Sequence, residues 1–187
     1  GNGVSKFTLS NMEIEGIGDY LVTLDAETSA SAGPIELKNL KVLKTGGLIY
    51  AAKNAGIKVT SLEVIGCFFD EVGSKDFIDF RDGSSLTAVK VVNNTFANGI
   101  RTFARIDAAV ADLGSVVVRN NTFYNNCYID NKDNNGIFHV RSTALSEANF
   151  KVQNNIFASM HKLEGAPTDA NKNGFPKLVS TNKASKI

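Results

Sequence analysis

The sequence predicts an all-β chain, a single-stranded parallel β-helix of about six coils of ~27 residues, and three observations predict the solenoid. The first is an internal repeat. Val89–Phe96 (VKVVNNTF), Val116–Phe123 (VVVRNNTF) and Phe150–Phe157 (FKVQNNIF) read almost alike. Phe7–Ile14 (FTLSNMEI), Ile35–Val42 (IELKNLKV) and Leu62–Phe69 (LEVIGCFF) are looser copies, apolar at positions one, three and eight with Asn usually at five. The copies start at residues 7, 35, 62, 89, 116 and 150, in steps of 28, 27, 27, 27 and 34. The second observation is a period of two in these segments, broken by Gly, Asn, Asp and Ser clusters, with no convincing amphipathic helix anywhere. The third is composition: 20 of the 187 residues are Asn, a large excess over ordinary usage.

Each coil opens on the repeat strand. A second strand follows: Tyr20–Leu24, Leu48–Ala52, Phe77–Arg81, Phe103–Asp107 and Ile137–Arg141. Strands that recur in this way without helices bury their apolar face by stacking coil on coil, about 4.8 Å apart. The stacking gives the Asn excess a place. Asn11, Asn39, Asn93, Asn120 and Asn154, with Gly66 between them, form one column at a corner. Asn and Gly both tolerate a left-handed backbone, and stacked amides can bond along the axis as a ladder. Phe69, Phe96, Phe123 and Phe157 continue a column begun by Ile14 and Val42 and predict an inward aromatic stack. Asn93-Asn94-Thr95 and Asn120-Asn121-Thr122 fit the N-glycosylation pattern, but they recur because the repeat does, so they are read as corners.

The charge balance narrows the partners. With 20 Lys+Arg against 19 Asp+Glu and a net charge of +1, the chain lacks the cation excess that nucleic acid or anionic membrane demands. No apolar run reaches the length of a transmembrane segment. The chain opens Gly1-Asn2-Gly3 without an initiator methionine and reads as a trimmed piece of a longer precursor, so the lack of a leader does not argue for the cytoplasm. Residues 1–187 read as one domain, with 158–187 as a tail that caps the C-terminal end and an N-terminal end that adjoins another domain or subunit. Cys67 and Cys127 fall two coils apart, too far for a disulfide, and are expected as free thiols.

The strand ends "NNTF" and "NNIF", with "FIDFRDG" and "FARIDA" between them, resemble the pectate-lyase-like right-handed parallel β-helices. More narrowly, they are similar to uncharacterised β-helix domains of surface lipoproteins from gut-bacterial polysaccharide-utilisation systems. The resemblance spans roughly residues 7–157 and implies a right-handed coil and a carbohydrate-related role, secreted or at the bacterial cell surface, with a polysaccharide or oligosaccharide as partner. It carries no catalytic signature, because neither the paired-Asp and Gly-His pattern of the polygalacturonase-like hydrolases nor the acidic calcium cluster of the pectate lyases is present.

Chemistry requires outward residues. If Ile78, Phe80, Ala104, Ile106, Phe138 and Val140 point in, the alternate positions point out. Stacking then places Tyr50, Asp79, Arg105 and His139 in one column and Ala52, Arg81, Asp107 and Arg141 in the next. Three readings fit this face. Cross-strand ion pairs, Asp79 facing Arg105 and Arg81 facing Asp107, would keep a flat sheet soluble. A glycan site would use the Arg residues as planar donors to sugar carboxylates or sulfates and Tyr50 as a stacking face, with Asp70–Asp76 and Tyr124–Gly136 as walls. A lyase could use Arg105 and His139 as base and cation, and a hydrolase could use Asp79 and Asp107, roughly 8 Å apart, as its carboxylate pair. Arg neighbours across the ladder are expected to favour the charged carboxylate, the opposite of what a general acid needs. Non-catalytic polysaccharide binding or scaffolding is therefore the leading expectation, and a polysaccharide lyase or glycoside hydrolase is the alternative.

No cofactor is expected. Asp169, Asn171 and Asn173 begin a calcium-loop pattern that Asn131–Gly136 repeats, but neither continues to the Glu at position twelve. Glu63 and Lys90 share an outward column on neighbouring coils and read as a surface pair, and His161 reads as a surface residue.

Overall fold

The computed structural model describes residues 3–25, 29–53, 56–99, 101–107, 110–126, 138–140 and 148–158, and among these there is no helix. In chain order the strands begin β1 (Gly3–Val4), β2 (Phe7–Glu15), β3 (Tyr20–Leu24), β4 (Ser31–Leu43), β5 (Gly47–Ala51) and β6 (Lys58–Ile65). They continue β7 (Phe68–Asp70), β8 (Ile78–Phe80), β9 (Ser85–Val92), β10 (Thr95–Ala97) and β11 (Ala104–Ile106). The last five are β12 (Ser115–Arg119), β13 (Thr122–Tyr124), β14 (Phe138–Val140), β15 (Phe150–Gln153) and β16 (Ile156–Ala158).

Every pairing is parallel, so the chain is a β-solenoid of the kind the repeat predicts. The six predicted starts share one ladder: Phe7 pairs with Ile35, then Leu62, Val89, Val116 and Phe150. The described residues form a solenoid of about four turns, slightly fewer than the six coils expected.

The turns have three faces. The first sheet stacks β6, β9, β12 and β15, and the second stacks β7, β10, β13 and β16. The long strand β4 runs through the corner between them, pairing with β6 on one side and β7 on the other. The third sheet is β3, β5, β8, β11 and β14. Apolar columns from all three meet inside, where Leu37, Val64 and Val91 stand among the fully buried side chains with Phe69 and Phe80. The predicted Phe column is stacked, with centroids 5.0, 4.9 and 5.0 Å apart from Phe69 to Phe157. Phe77, Phe103 and Phe138 meet it edge-on, an arrangement worth about 0.5–1.5 kcal/mol per pair beyond burial.

The Asn pairs divide the work differently from expectation. Asn11, Asn39, Asn93, Asn120 and Asn154 take the left-handed backbone, φ 52–59°, beside Gly66 at 66°. The long amide ladder, however, belongs to their neighbours. Asn94 donates from its backbone N and Nδ2 to Asn121 Oδ1 at 2.9 and 3.0 Å, and Asn121 repeats both bonds to Asn155 at 2.9 Å. Each amide also donates sideways, to Val64, Val91 and Val118 carbonyls. A left-handed residue turns its own side chain outward, so the following residue is the one that faces the axis. Within the first column the structure shows one such bond, Asn39 to Asn11 at 3.2 Å. Cys67 occupies the ladder position on its coil, buried and without a disulfide. Its backbone N donates to Asn94 Oδ1 at 2.8 Å, and burial raises its thiol pKa. A second left-handed corner, at Gly16, Lys44, Glu71, Asn98 and Asn125, recurs with the same period. At the N-terminal end, β1 pairs with β4, carrying the first sheet back beyond Phe7.

Candidate functional site

The outer face of the third sheet has the predicted register. Tyr50 pairs with Asp79, Asp79 with Arg105, and Arg105 with His139. Arg81 and Asp107 continue it, their backbone N atoms donating to Ala51 and Phe80 carbonyls at 3.2 and 3.0 Å. Arg141, Cys127, His161, the 127–136 part of the predicted wall, and both calcium-loop candidates, Asp169, Asn171 and Asn173 among them, lie outside the described residues. His139 is placed by its backbone alone.

What the face does with its charges departs from expectation. Asp79 is 0% exposed and Asp107 7%, so these are not surface ion pairs. The pairs of Asp79 and Asp107 also run along each strand rather than across coils. Arg81 meets Asp79 with Nε 2.6 Å from Oδ1 and donates from a terminal nitrogen to Oδ2 at 2.7 Å. Arg105 Nε donates to Asp107 Oδ1 at 3.1 Å. Side chains two apart on a strand lie on the same face, and the long Arg stem folds back over the short Asp.

A tyrosine closes the network. Tyr20 lies across Gly47, where a Cβ would stand 2.5 Å from its ring. Its ring stacks on Tyr50 at 5.0 Å and 16°, and its hydroxyl donates to Asp79 Oδ2 at 2.8 Å. Burial first, then the neighbouring Asp79 charge, raises the Tyr20 pKa, which keeps the hydroxyl a donor. For Arg81, burial opposes the charge, but the hydrogen bond and charge of Asp79 outweigh it and the pKa rises. Asp79 Oδ1 has no well-directed donor and is held by the Arg81 charge alone.

Asp76, which sequence reasoning passed over, is the third acid. It is 4% exposed, with Arg101 Nε at 3.5 Å and Arg105 at 3.9 Å, contacts too long to satisfy it fully. Burial raises its pKa, opposed by Arg101 and reinforced by Asp79. Three carboxylates therefore face three guanidinium groups, and Arg81, Arg101 and Arg105 keep 25–28% of their side chains exposed. The available signal for Asp76 and Tyr20 was the ladder itself. Extending it back from Ile49 and Ile78 sets Gly47 beside Asp76, with Tyr20 on the preceding coil.

Among the described residues no group of three or more His, Cys, Asp or Glu could hold a metal ion, and no helix is long and apolar enough to cross a membrane. The chain matches no family model, no curated protein and no solved structure.

Proposed function

We propose that this chain is an extracytoplasmic, carbohydrate-related β-helix module of the pectate-lyase-like kind that binds or scaffolds polysaccharide without cleaving it. The observation that carries the non-catalytic reading is the commitment of Asp79: fully buried, gripped by Arg81 and capped by Tyr20. Inverting hydrolysis needs two accessible carboxyl groups in opposite protonation states. Asp79 and Asp107 are instead both bound to arginines. Binding is supported by the rigid solenoid, whose outer faces present fixed rows of side chains at the coil spacing. The Arg81, Arg101 and Arg105 row beside the Tyr20–Tyr50 stack is one face available to a glycan.

One observation favours the alternative, a lyase or hydrolase. Asp76 has a raised pKa, as a general acid requires, and sits beside Arg101 and Arg105. Incubating the protein with acidic and neutral polysaccharides separates the two readings, following retention on the polymer together with reducing-end release and the ultraviolet absorbance of unsaturated products. Retention without product is expected. Product formation that Asp76→Asn abolishes would establish the alternative.

A further inference from the structure

The outer face of the first sheet carries a groove of about 330 Å³, lined by Ser61, Ala88 and Ser115 in one row and by Glu63, Lys90 and Val117 in the next, with Arg119 beyond them. It exists because the ladder aligns small side chains: Ser61 pairs with Ala88, and Ala88 with Ser115. Its volume lies in the ~300–1,000 Å³ range of small-ligand sites.

The charges along this face do not cancel locally. Toward the first coils, Lys6 and Lys38 hold Glu36 at 2.9 and 2.8 Å, and Lys38 also reaches Glu63 at 3.6 Å. Glu63 is the ladder neighbour of Lys90, yet its carboxylate turns to Lys38 on the preceding coil. Lys90 and Arg119 are left with no ion-pair or side-chain hydrogen-bond partner among the described residues. Lys90 pairs with Val117, two residues before Arg119, so both cations bound the same groove.

We infer that this groove binds the acidic group of an oligosaccharide. Lys90 and Arg119 receive a sugar carboxylate, and the Ser61 and Ser115 hydroxyls bond to ring hydroxyls. The inference rests on the carbohydrate reading above, but it assigns the contact to the first sheet rather than the third. Two unpaired cations favour an anion over a neutral sugar, because engaging one breaks no existing pair.

Titration calorimetry on the whole chain tests it, with trigalacturonate, neutral galactotriose and sodium sulfate as probes. Trigalacturonate should bind, and Lys90→Ala and Arg119→Ala should each weaken it about tenfold. Galactotriose should bind at least about tenfold more weakly, and added salt should weaken trigalacturonate. Lys41→Ala, which removes an exposed cation already paired with Glu13 and outside the groove, should leave the affinity unchanged, and unchanged melting temperatures for both groove variants would show that they fold. Sulfate binding as tightly as trigalacturonate would overturn the inference, since the groove would then read only an ion. Loss of binding in Arg105→Ala, on the third sheet, with both groove variants intact would also overturn it while sparing the carbohydrate reading. No binding of any sugar would overturn both.

Discussion

Two faces of one solenoid handle charge in opposite ways. On the third sheet Asp79 and Asp107 each have an arginine of their own strand folded over them, and both acids are buried. On the first sheet Lys90 and Arg119 stand beside a groove with no ion-pair or side-chain hydrogen-bond partner among the described residues. Both faces are built from the same ladder, so the difference lies in which residues sit two apart on a strand. Asp79 with Arg81 and Arg105 with Asp107 close on themselves, whereas Lys90 has Val92 at that position and Arg119 has Val117. A charge already neutralised by its own strand serves stability first, and an unpaired one is available to a ligand.

The largest effect that separates the faces should come from Asp79→Ala. It strands Arg81 beside a buried site and removes the acceptor of Tyr20, and breaking a buried pair costs about 3 kcal/mol. Urea denaturation should show the loss as a lower midpoint at unchanged slope. Tyr20→Phe keeps the stack on Tyr50 and deletes one bond to a charged acceptor, for about 1.5 kcal/mol in the same assay.

Asp76 gives the comparison a pH dependence. Its pKa is raised in the folded chain above the ordinary 3.8, so the folded state holds its proton more tightly than the unfolded state. Its contribution is therefore most favourable below the unfolded value and is lost as pH rises through the folded one. Asp76→Asn should remove that decline, seen as a flatter plot of unfolding free energy against pH just above the carboxylate range. The smallest stability effects belong to Lys90→Ala and Arg119→Ala, each within about 0.5 kcal/mol of the parent in urea. A loss above 2 kcal/mol in either would mean that the first-sheet cations are also structural.

Much of this was legible in the sequence. The coil starts, the Phe column and the register of Tyr50, Asp79, Arg105 and His139 follow from the repeat, because a period of about 27 and a strand period of two leave little choice of alignment. Other features depend on what repeats do not encode. Which Asn of each pair joins the ladder is decided by the left-handed corner, which turns one side chain out and the next one in. The second corner escaped notice because Lys44 and Glu71 occupy it, residues that do not signal a left-handed backbone, a conformation costing an ordinary residue about 1–2 kcal/mol. The direction of the ion pairs was missed because a register gives backbone neighbours, not where a flexible Arg stem ends. Tyr20 reaching Asp79 across Gly47 joins two coils and cannot be read from either alone.

The contrast between a closed and an open face is tested most directly by the rate at which an arginine-specific dicarbonyl reagent modifies each guanidinium, resolved by mass spectrometry of the folded chain. Arg119 should react first, with Arg81 and Arg105 slower because their nitrogens are engaged by Asp79 and Asp107. Modification of Arg81 or Arg105 at the rate of Arg119 would contradict the division of the two faces.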